Sequence, residues 1–233
     1  MMDLKVSAQT VQGQAVRNLR EAITSGMFQP GDRLVEAEMC ARLGISRPSL
    51  REALRSLEAE RLIVIVPNKG PHIPILSLEE AKQIYDVRAL LEGEAAALFA
   101  SRATVAALDI MKRALTQFDL ATKEEDLSGQ LETTRQFYEQ MLGGCGNKII
   151  EEMLNALTAR ITFLRSKSMS QPGRAQKSSR EMKAIFKAFA AGDAEAAREA
   201  AVGHVRMACK AATEKFLADQ ASPKNWPSRG RSK

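Results

Sequence analysis

The alternation of apolar and polar positions changes character along the chain. From Gln12 to Ser25, the apolar residues Ala15, Val16, Leu19 and Ile23 step by three and four, the spacing of one helix face. Gly26 is a stop signal, and Pro30-Gly31-Asp32 reads as a turn. Val35 to Leu43 has the pattern of a short second helix, ended by Gly44. Ser46 to Arg61 has that of a third, capped by Ser46 or Arg47. Its Pro48 falls in the first turn, where a missing N–H costs little. Leu50, Ala53, Leu54 and Leu57 give this helix a face to bury. The period then changes. Ile63-Val64-Ile65-Val66 is a β-branched run, followed by Pro67-Asn68-Lys69-Gly70 and His72-Ile73-Pro74-Ile75. This pattern predicts a hairpin with an edge for its second strand, because Pro71 and Pro74 cannot donate ladder bonds.

Ser77-Leu78-Glu79-Glu80 is a capping box, and only helical patterns follow it. They predict six helices at 78–101, 104–123, 127–142, 147–168, 176–191 and 193–217. Breaks fall at Gly143-Gly144-Cys145-Gly146, Gln171-Pro172-Gly173 and Gly192-Asp193. Short connections predict antiparallel neighbours. The fold class is therefore mainly α: an N-terminal winged helix-turn-helix at 10–76 and a six-helix antiparallel bundle at 77–217, with a flexible N-terminus at 1–9.

Composition narrows the classes. With 233 residues, 45% hydrophobic and 27% charged, the chain has a globular composition. No apolar run approaches the roughly 18 residues of a membrane helix. The first residues lack the order of a signal peptide, so a cytoplasmic protein is expected. Cys40, Cys145 and Cys209 are far apart with no CxxC, which argues against a disulfide scaffold or a zinc finger. No cofactor motif is present. Residues 218–233 carry four basic and one acidic side chain, half of the net charge of +6, and their Pro, Ser and Gly content predicts a disordered basic tail. Global charge is thus weak evidence for a nucleic-acid partner, and local arrangement has to supply it.

The third helix supplies it. Arg47, Arg51 and Arg55 step by four beside the leucine face, with Ser49 among them. A helix fits the major groove, with its N-terminal residues reaching base edges and its arginines binding guanine or phosphate. Lys69-Gly70 places a cation on a hairpin backbone that can approach sugar-phosphate closely. The other reading of the stripe is a solvated face paired with Glu36, Glu52 or Glu58.

The runs Pro30-Gly31-Asp32-Arg33-Leu34-Val35-Glu36, Leu43 through Glu58 and Arg61-Leu62-Ile63 resemble the GntR family of bacterial transcription regulators. One departure is Arg47-Pro48-Ser49, where the family usually has Arg-Thr-Pro. The resemblance implies that Arg33, Arg47, Ser49, Arg51 and Arg55 lie against double-stranded operator DNA, with Lys69 and Gly70 near the minor groove. His72 reads as wing packing.

Residues 78–217 resemble the FCD subgroup of that family, its VanR-like branch. The resemblance is carried by Ile84 through Glu92, Gly146 through Ile150 and Ala188 through Ala197. It implies a homodimer and a bundle that holds a small-molecule effector, often a carboxylate. Many members also bind a divalent metal through one Asp and three His. Thr134, Tyr138 and Met182 stand at three of those positions, and only His204 matches. A hydroxyl, a phenol and a thioether are poor zinc or manganese ligands, so no metal is expected. Thr134, Tyr138, Met182 and His204 are candidate pocket lining or, alternatively, satisfied core residues. Arg88 is a candidate fork for the carboxylate, beside a Val87/Leu91 apolar stripe; its alternative partner is Glu92, one turn on. The function this predicts is a ligand-responsive regulator, with repression the more frequent family outcome. The alternative is a regulator whose helical domain only dimerises. An enzyme using His204 with Cys209 or Tyr138 has no oxyanion loop or acid pair to support it.

Overall fold

The protein is described from a computed structural model covering residues 11–24, 27–28 and 30–221. Gly26, the expected segment 1–9 and the tail from 222 onward lie outside the described residues. The chain divides into two compact units. One comprises the residues up to Ser77 together with 152–163; the other comprises 78–151 and the residues from 164 onward.

The first unit begins with α1 (Val11–Thr24), α2 (Glu36–Leu43) and α3 (Arg47–Ala59), followed by β1 (Val64–Val66) and β2 (Gly70–His72). Ala15, Leu19 and Ile23 of α1 meet Met39 of α2 and Leu50, Ala53, Leu54 and Leu57 of α3 in one core, closed by Leu34, Leu62, Ile63 and Ile73. Gly44 ends α2 in the left-handed region at φ 65°. Ser46 then caps α3, its hydroxyl accepting from the Ser49 N–H at 3.4 Å, while Pro48 sits in the first turn.

Two local features differ from expectation. The third helix stops two residues before Arg61. Arg61 takes φ 57°, its N–H bonds the Glu58 carbonyl, and the Leu62 N–H bonds the Leu57 carbonyl. This is a Schellman end in which an arginine occupies the position that favours glycine. Arg61→Gly is therefore expected to raise stability by about 1 kcal/mol, measured by urea denaturation. Nor is the second strand an edge. It pairs with β1 in the register Val64↔His72 and Val66↔Gly70, and bridges Arg33 on its other side. There the Pro71 carbonyl accepts from Leu34 N–H, and Ile73 N–H donates to the Asp32 carbonyl. Pro71 fits this central position because its carbonyl, not the missing N–H, makes the outer bond.

The remaining helices are α4 (Leu78–Ala100), α5 (Val105–Lys123), α6 (Leu127–Gly144), α7 (Lys148–Asn155), α8 (Thr158–Met169), α9 (Arg174–Ala191) and α10 (Ala194–Ala221). The helix expected at 147–168 is thus two. The Leu157 N–H turns back to the Leu154 carbonyl, and the ladder restarts with Ile161 N–H on the Leu157 carbonyl. Helix α10 runs past 217, its last turn held by Asp219 between Lys167 at 2.6 Å and Lys215 at 2.9 Å.

In the second unit α4 packs along α10, and α5 along α6 and α9. Small residues permit the α4–α10 approach: Ala95 and Ala96 on one helix, Ala197, Ala201, Ala208 and Ala212 on the other, all buried. Phe189 meets Phe99 edge-on at 4.7 Å and stacks on Phe137 at 6.2 Å. Between these apolar layers lies a set of buried polar side chains, Arg88, Glu92, Thr134, Arg174, Ser178 and His204.

Candidate nucleic-acid interface and a buried polar cluster

The first N-terminal turns of α3 present the cations. Arg47 is exposed at the helix start and forms no ion pair among the described residues. Arg51, one turn on, is 63% exposed and holds Glu36 of α2 at 3.2 Å. Arg55 is 72% exposed and pairs with Glu52 at 3.0 Å. The intradomain pairs weighed as an alternative therefore form. Exposed pairs of this kind are worth about 0–1 kcal/mol and exchange readily for a phosphate. The Ser49 hydroxyl lies 3.0 Å from the Ser46 hydroxyl, so Ser49 takes part in the cap.

The hairpin tip is a four-residue turn closed by the Lys69 N–H on the Val66 carbonyl at 3.0 Å. Pro67 and Asn68 are its central residues, and Asn68 has the positive φ, 62°, required at the third position of a type II turn. Lys69 is exposed, and Gly70 follows at φ 86°. His72 directs Nδ1 at the Gly70 carbonyl, 2.8 Å away, and so braces the tip. Arg33 is exposed on the strip that bridges His72.

The second unit holds the other candidate residues. Arg88 and Glu92 are almost fully buried and pair at 2.7 Å. Both lie in the buried stripe of α4 with Ala81, Tyr85 and Ala95, whereas Val87 lies off it and is 38% exposed. The expected Val87/Leu91 stripe is displaced accordingly. Arg165 of α8 stacks over the Tyr138 ring at 4.3 Å, and Tyr138 faces His204 with centroids 6.3 Å apart. The Nδ1 of His204 lies 2.7 Å from the Glu181 carboxylate, whose Oε2 also accepts from Arg174 at 2.7 Å. Three arginines, two carboxylates, a tyrosine and a histidine thus form one cluster, buried except for the partly exposed Arg165 and Glu181 at its margin. Arg88, Tyr138 and His204 of the predicted set belong to it. The Thr134 hydroxyl instead donates to the Gln130 carbonyl of its own helix at 2.7 Å, and Met182 is a fully buried wall touched by the Ser178 hydroxyl.

Arg165, Arg174 and Glu181 were not anticipated. Arg174 carried a readable signal: it is in phase with the buried stripe Ser178, Met182, Ile185 and Phe189. The helix was expected to begin only at 176, which left Arg174 in the Pro-Gly turn.

Charge in this cluster is held by its neighbours. Burial opposes ionisation of Glu92, but Arg88 and Arg165 outweigh it and keep the carboxyl below its ordinary range. Burial pushes Tyr85 up to about 12 and Tyr138 further, so both phenols stay protonated. Burial likewise depresses the Arg165 guanidinium, and Arg88 adds to the effect. The Cys209 thiol is raised by burial, the reverse of what a nucleophile needs.

The donor set does not suit a divalent metal. Thr134 is spent on its own helix, Tyr138 is a neutral phenol, and Met182 offers a thioether. The remaining pair, Glu181 and His204, already has a guanidinium on the carboxylate. No group of three or more His, Cys, Asp or Glu that could hold a metal occurs among the described residues.

Acid should loosen this unit in two phases. Burial depresses His204 below its usual 6.5, although Glu181 pulls the other way. The unfolded chain then takes up that proton first, and stability falls as the pH drops below about 6.5. Burial tends to raise Glu181, but His204 and Arg174 outweigh it, so a second loss sets in below about 4.5. Melting temperature against pH checks this, and His204→Gln is expected to remove the upper phase and, by taking away one of the two groups that hold Glu181 low, to shrink the lower one.

Residues 3–73 match the family model described as bacterial regulatory proteins, gntR family, and residues 83–207 match the FCD domain. The chain is 33% identical over 133 residues to an HTH-type transcriptional regulator from the TAR-I ttuE-ttuC' intergenic region of Agrobacterium vitis, covering 55% of this chain and 77% of that one. It is 30% identical over 155 residues to the HTH-type transcriptional repressor GlaR of Escherichia coli K12, covering 64% and 70%. Among solved structures, E. coli McbR/YncC superposes with a TM-score of 0.78 at 20% identity, covering 92% of this chain and all of that one. No described helix is long and apolar enough to cross a membrane.

Proposed function

Because the chain belongs to the GntR family of bacterial regulatory proteins and carries an FCD domain, as a DNA-binding transcription regulator rather than an enzyme, we propose that it is a cytoplasmic repressor. It binds a palindromic operator as a homodimer and responds to a small organic acid. The observation that carries the DNA half is Arg47, exposed at the start of α3 with no ion pair among the described residues, with Arg51 and Arg55 exposed on the same helix. In this reading Arg47 and Arg51 read or grip the major groove, Arg33, Ser49 and Arg55 flank them, and Lys69 and Gly70 approach the minor groove. The name of the E. coli relative GlaR favours repression. A second copy of the chain is favoured by Val87 and Leu90, which stand exposed on the side of α4 opposite its buried stripe.

The effector half rests on the buried cluster. Arg88, Tyr138 and His204 present polar groups inside the bundle, with Thr134 and Met182 as adjoining walls. An acid bound there shifts operator affinity only by its differential affinity for the DNA-bound and free arrangements. Selection from a random DNA pool tests the reading. The expected product is an inverted repeat with half-sites about 34 Å apart, or somewhat less. Release of that DNA by small organic acids is the second expected result. If no acid changes operator affinity, the helical domain serves dimerisation alone.

A further inference from the structure

The last turn of α3 carries an acid on the side that presents its arginines. Glu58 follows Arg47 by eleven positions, close to three helical turns, so the two stand on one face. A carboxylate on a face turned toward DNA repels phosphate, so its presence there needs a reason. Ion pairing with the arginine stripe does not supply one, because Arg51 takes Glu36 and Arg55 takes Glu52. Glu58 instead holds the start of the wing. Its backbone carbonyl accepts the Arg61 N–H at 2.8 Å, and its carboxylate accepts the Ile65 N–H at 3.0 Å.

The second of these bonds falls on the outer edge of β1. Ile65 stands opposite Pro71, whose carbonyl turns away from β1 to accept from Leu34. The two form a non-hydrogen-bonded pair of the ladder, so the Ile65 N–H points away from β2. On the β2 side, the strip 31–34 secures Pro71 and Ile73 by backbone bonds from Gly31, Leu34 and Ile73 N–H groups. On the β1 side the Glu58 carboxylate does that work. Ile63 and Ile73 bury the base of the hairpin, but Val64 and Ile65 above it are 41% and 40% exposed, so packing does not fix the outer strand. Two strands of three residues are marginal by themselves. His72 braces the tip from within, which leaves the direction of the tip to the strand edges.

We propose that Glu58 is a positioning residue for the wing: from the end of the helix that presents Arg47 and Arg51, its carboxylate fixes the course of β1 and with it the place of Lys69 on the duplex. One helix then sets both the major-groove contacts and the wing. The repulsion of phosphate by the acid is offset by the order it gives to the hairpin. The inference rests on the reading that Lys69 approaches DNA, and the experiment separates the two.

The probe is a labelled duplex recovered by selection, bound to the full-length protein. Lys69→Ala is expected to weaken binding about fivefold to tenfold and to reduce the salt slope by about one. Glu58→Ala is expected to reproduce that loss, although removal of a negative charge would by itself tighten binding. Adding Lys69→Ala to Glu58→Ala is expected to cost less than about twofold more. Glu58→Gln keeps an acceptor oxygen and is expected to bind at least as well as the parent. Amide exchange in β1 should quicken in Glu58→Ala but not in Glu58→Gln, with α1 unchanged in both. Unweakened binding by Glu58→Ala, a loss that adds fully to that of Lys69→Ala, or Glu58→Gln as weak as Glu58→Ala would each overturn the proposal. If Lys69→Ala leaves affinity and salt slope unchanged, the wing contact itself fails and exchange decides the brace alone. There, faster exchange of β1 confined to Glu58→Ala supports it, and unchanged exchange overturns it.

Discussion

Glu92→Leu is expected to destabilise the second unit more than removal of either arginine that Glu92 faces. It takes the carboxylate from beneath two guanidiniums, the buried Arg88 at 2.7 Å and the neighbouring Arg165. Breaking a buried ion pair by deleting one member costs about 3–5 kcal/mol, because the other charge stays buried without compensation. For a chain of this size, 1 kcal/mol corresponds to roughly 2–4 °C, so a fall of about 6–20 °C in melting temperature is expected. Arg88→Met should cost less, since Arg165 remains to face Glu92. The double variant Arg88→Met with Glu92→Leu should recover most of the loss, because apolar groups of similar volume often replace a buried pair without cost. The cycle measures the coupling directly. Equal, additive losses in the two single variants would show that the pair does not interact as described.

A second large effect is expected at the DNA face. Arg47→Ala combined with Arg51→Ala removes two guanidiniums from the start of α3, each worth about 1–3 kcal/mol if it reaches a base edge or phosphate. Operator affinity should fall by roughly 30-fold to 10⁴-fold at fixed salt. The fold should survive, because both side chains are exposed and the Arg51–Glu36 pair is a surface pair. Fluorescence anisotropy with a labelled operator measures the loss, and circular dichroism checks the fold. Where a deleted arginine had met phosphate, the slope of log affinity against log salt should shrink by about one per contact. Unchanged affinity in a folded double variant would remove α3 from the interface.

Particular elements show how much was legible. The core of the first unit is written in three apolar stripes, and the residues chosen for burial in α3 are the buried ones. Gly44 and Ser46 mark the turn between α2 and α3 because their backbone and capping chemistry is local. The central place of β2 was not readable, since Pro71 forbids an N–H bond but not the carbonyl bond that Leu34 supplies. Nor was the break after α7. Ile150, Leu154, Ile161 and Leu164 are all buried and stay in helical phase across it, so periodicity sees one helix where the backbone makes two.

The buried cluster divides in the same way. Arg88 could be singled out as a guanidinium beside a Val87/Leu91 stripe that the structure displaces, and His204 as a polar residue on an alanine-rich face that matches a family metal ligand. Their partners could not be assigned. Glu92 is a helical neighbour of Arg88 that could equally have been a surface pair, and Arg165, Arg174 and Glu181 come from two helices distant in sequence. The sequence alone determined the three-helix-and-hairpin module, the cationic helix and the helical character of all that follows, because caps, turns and hydrophobic period act over a few residues. Only the tertiary structure decided which charges share the interior. That outcome depends on distances between helices, and no local pattern encodes those.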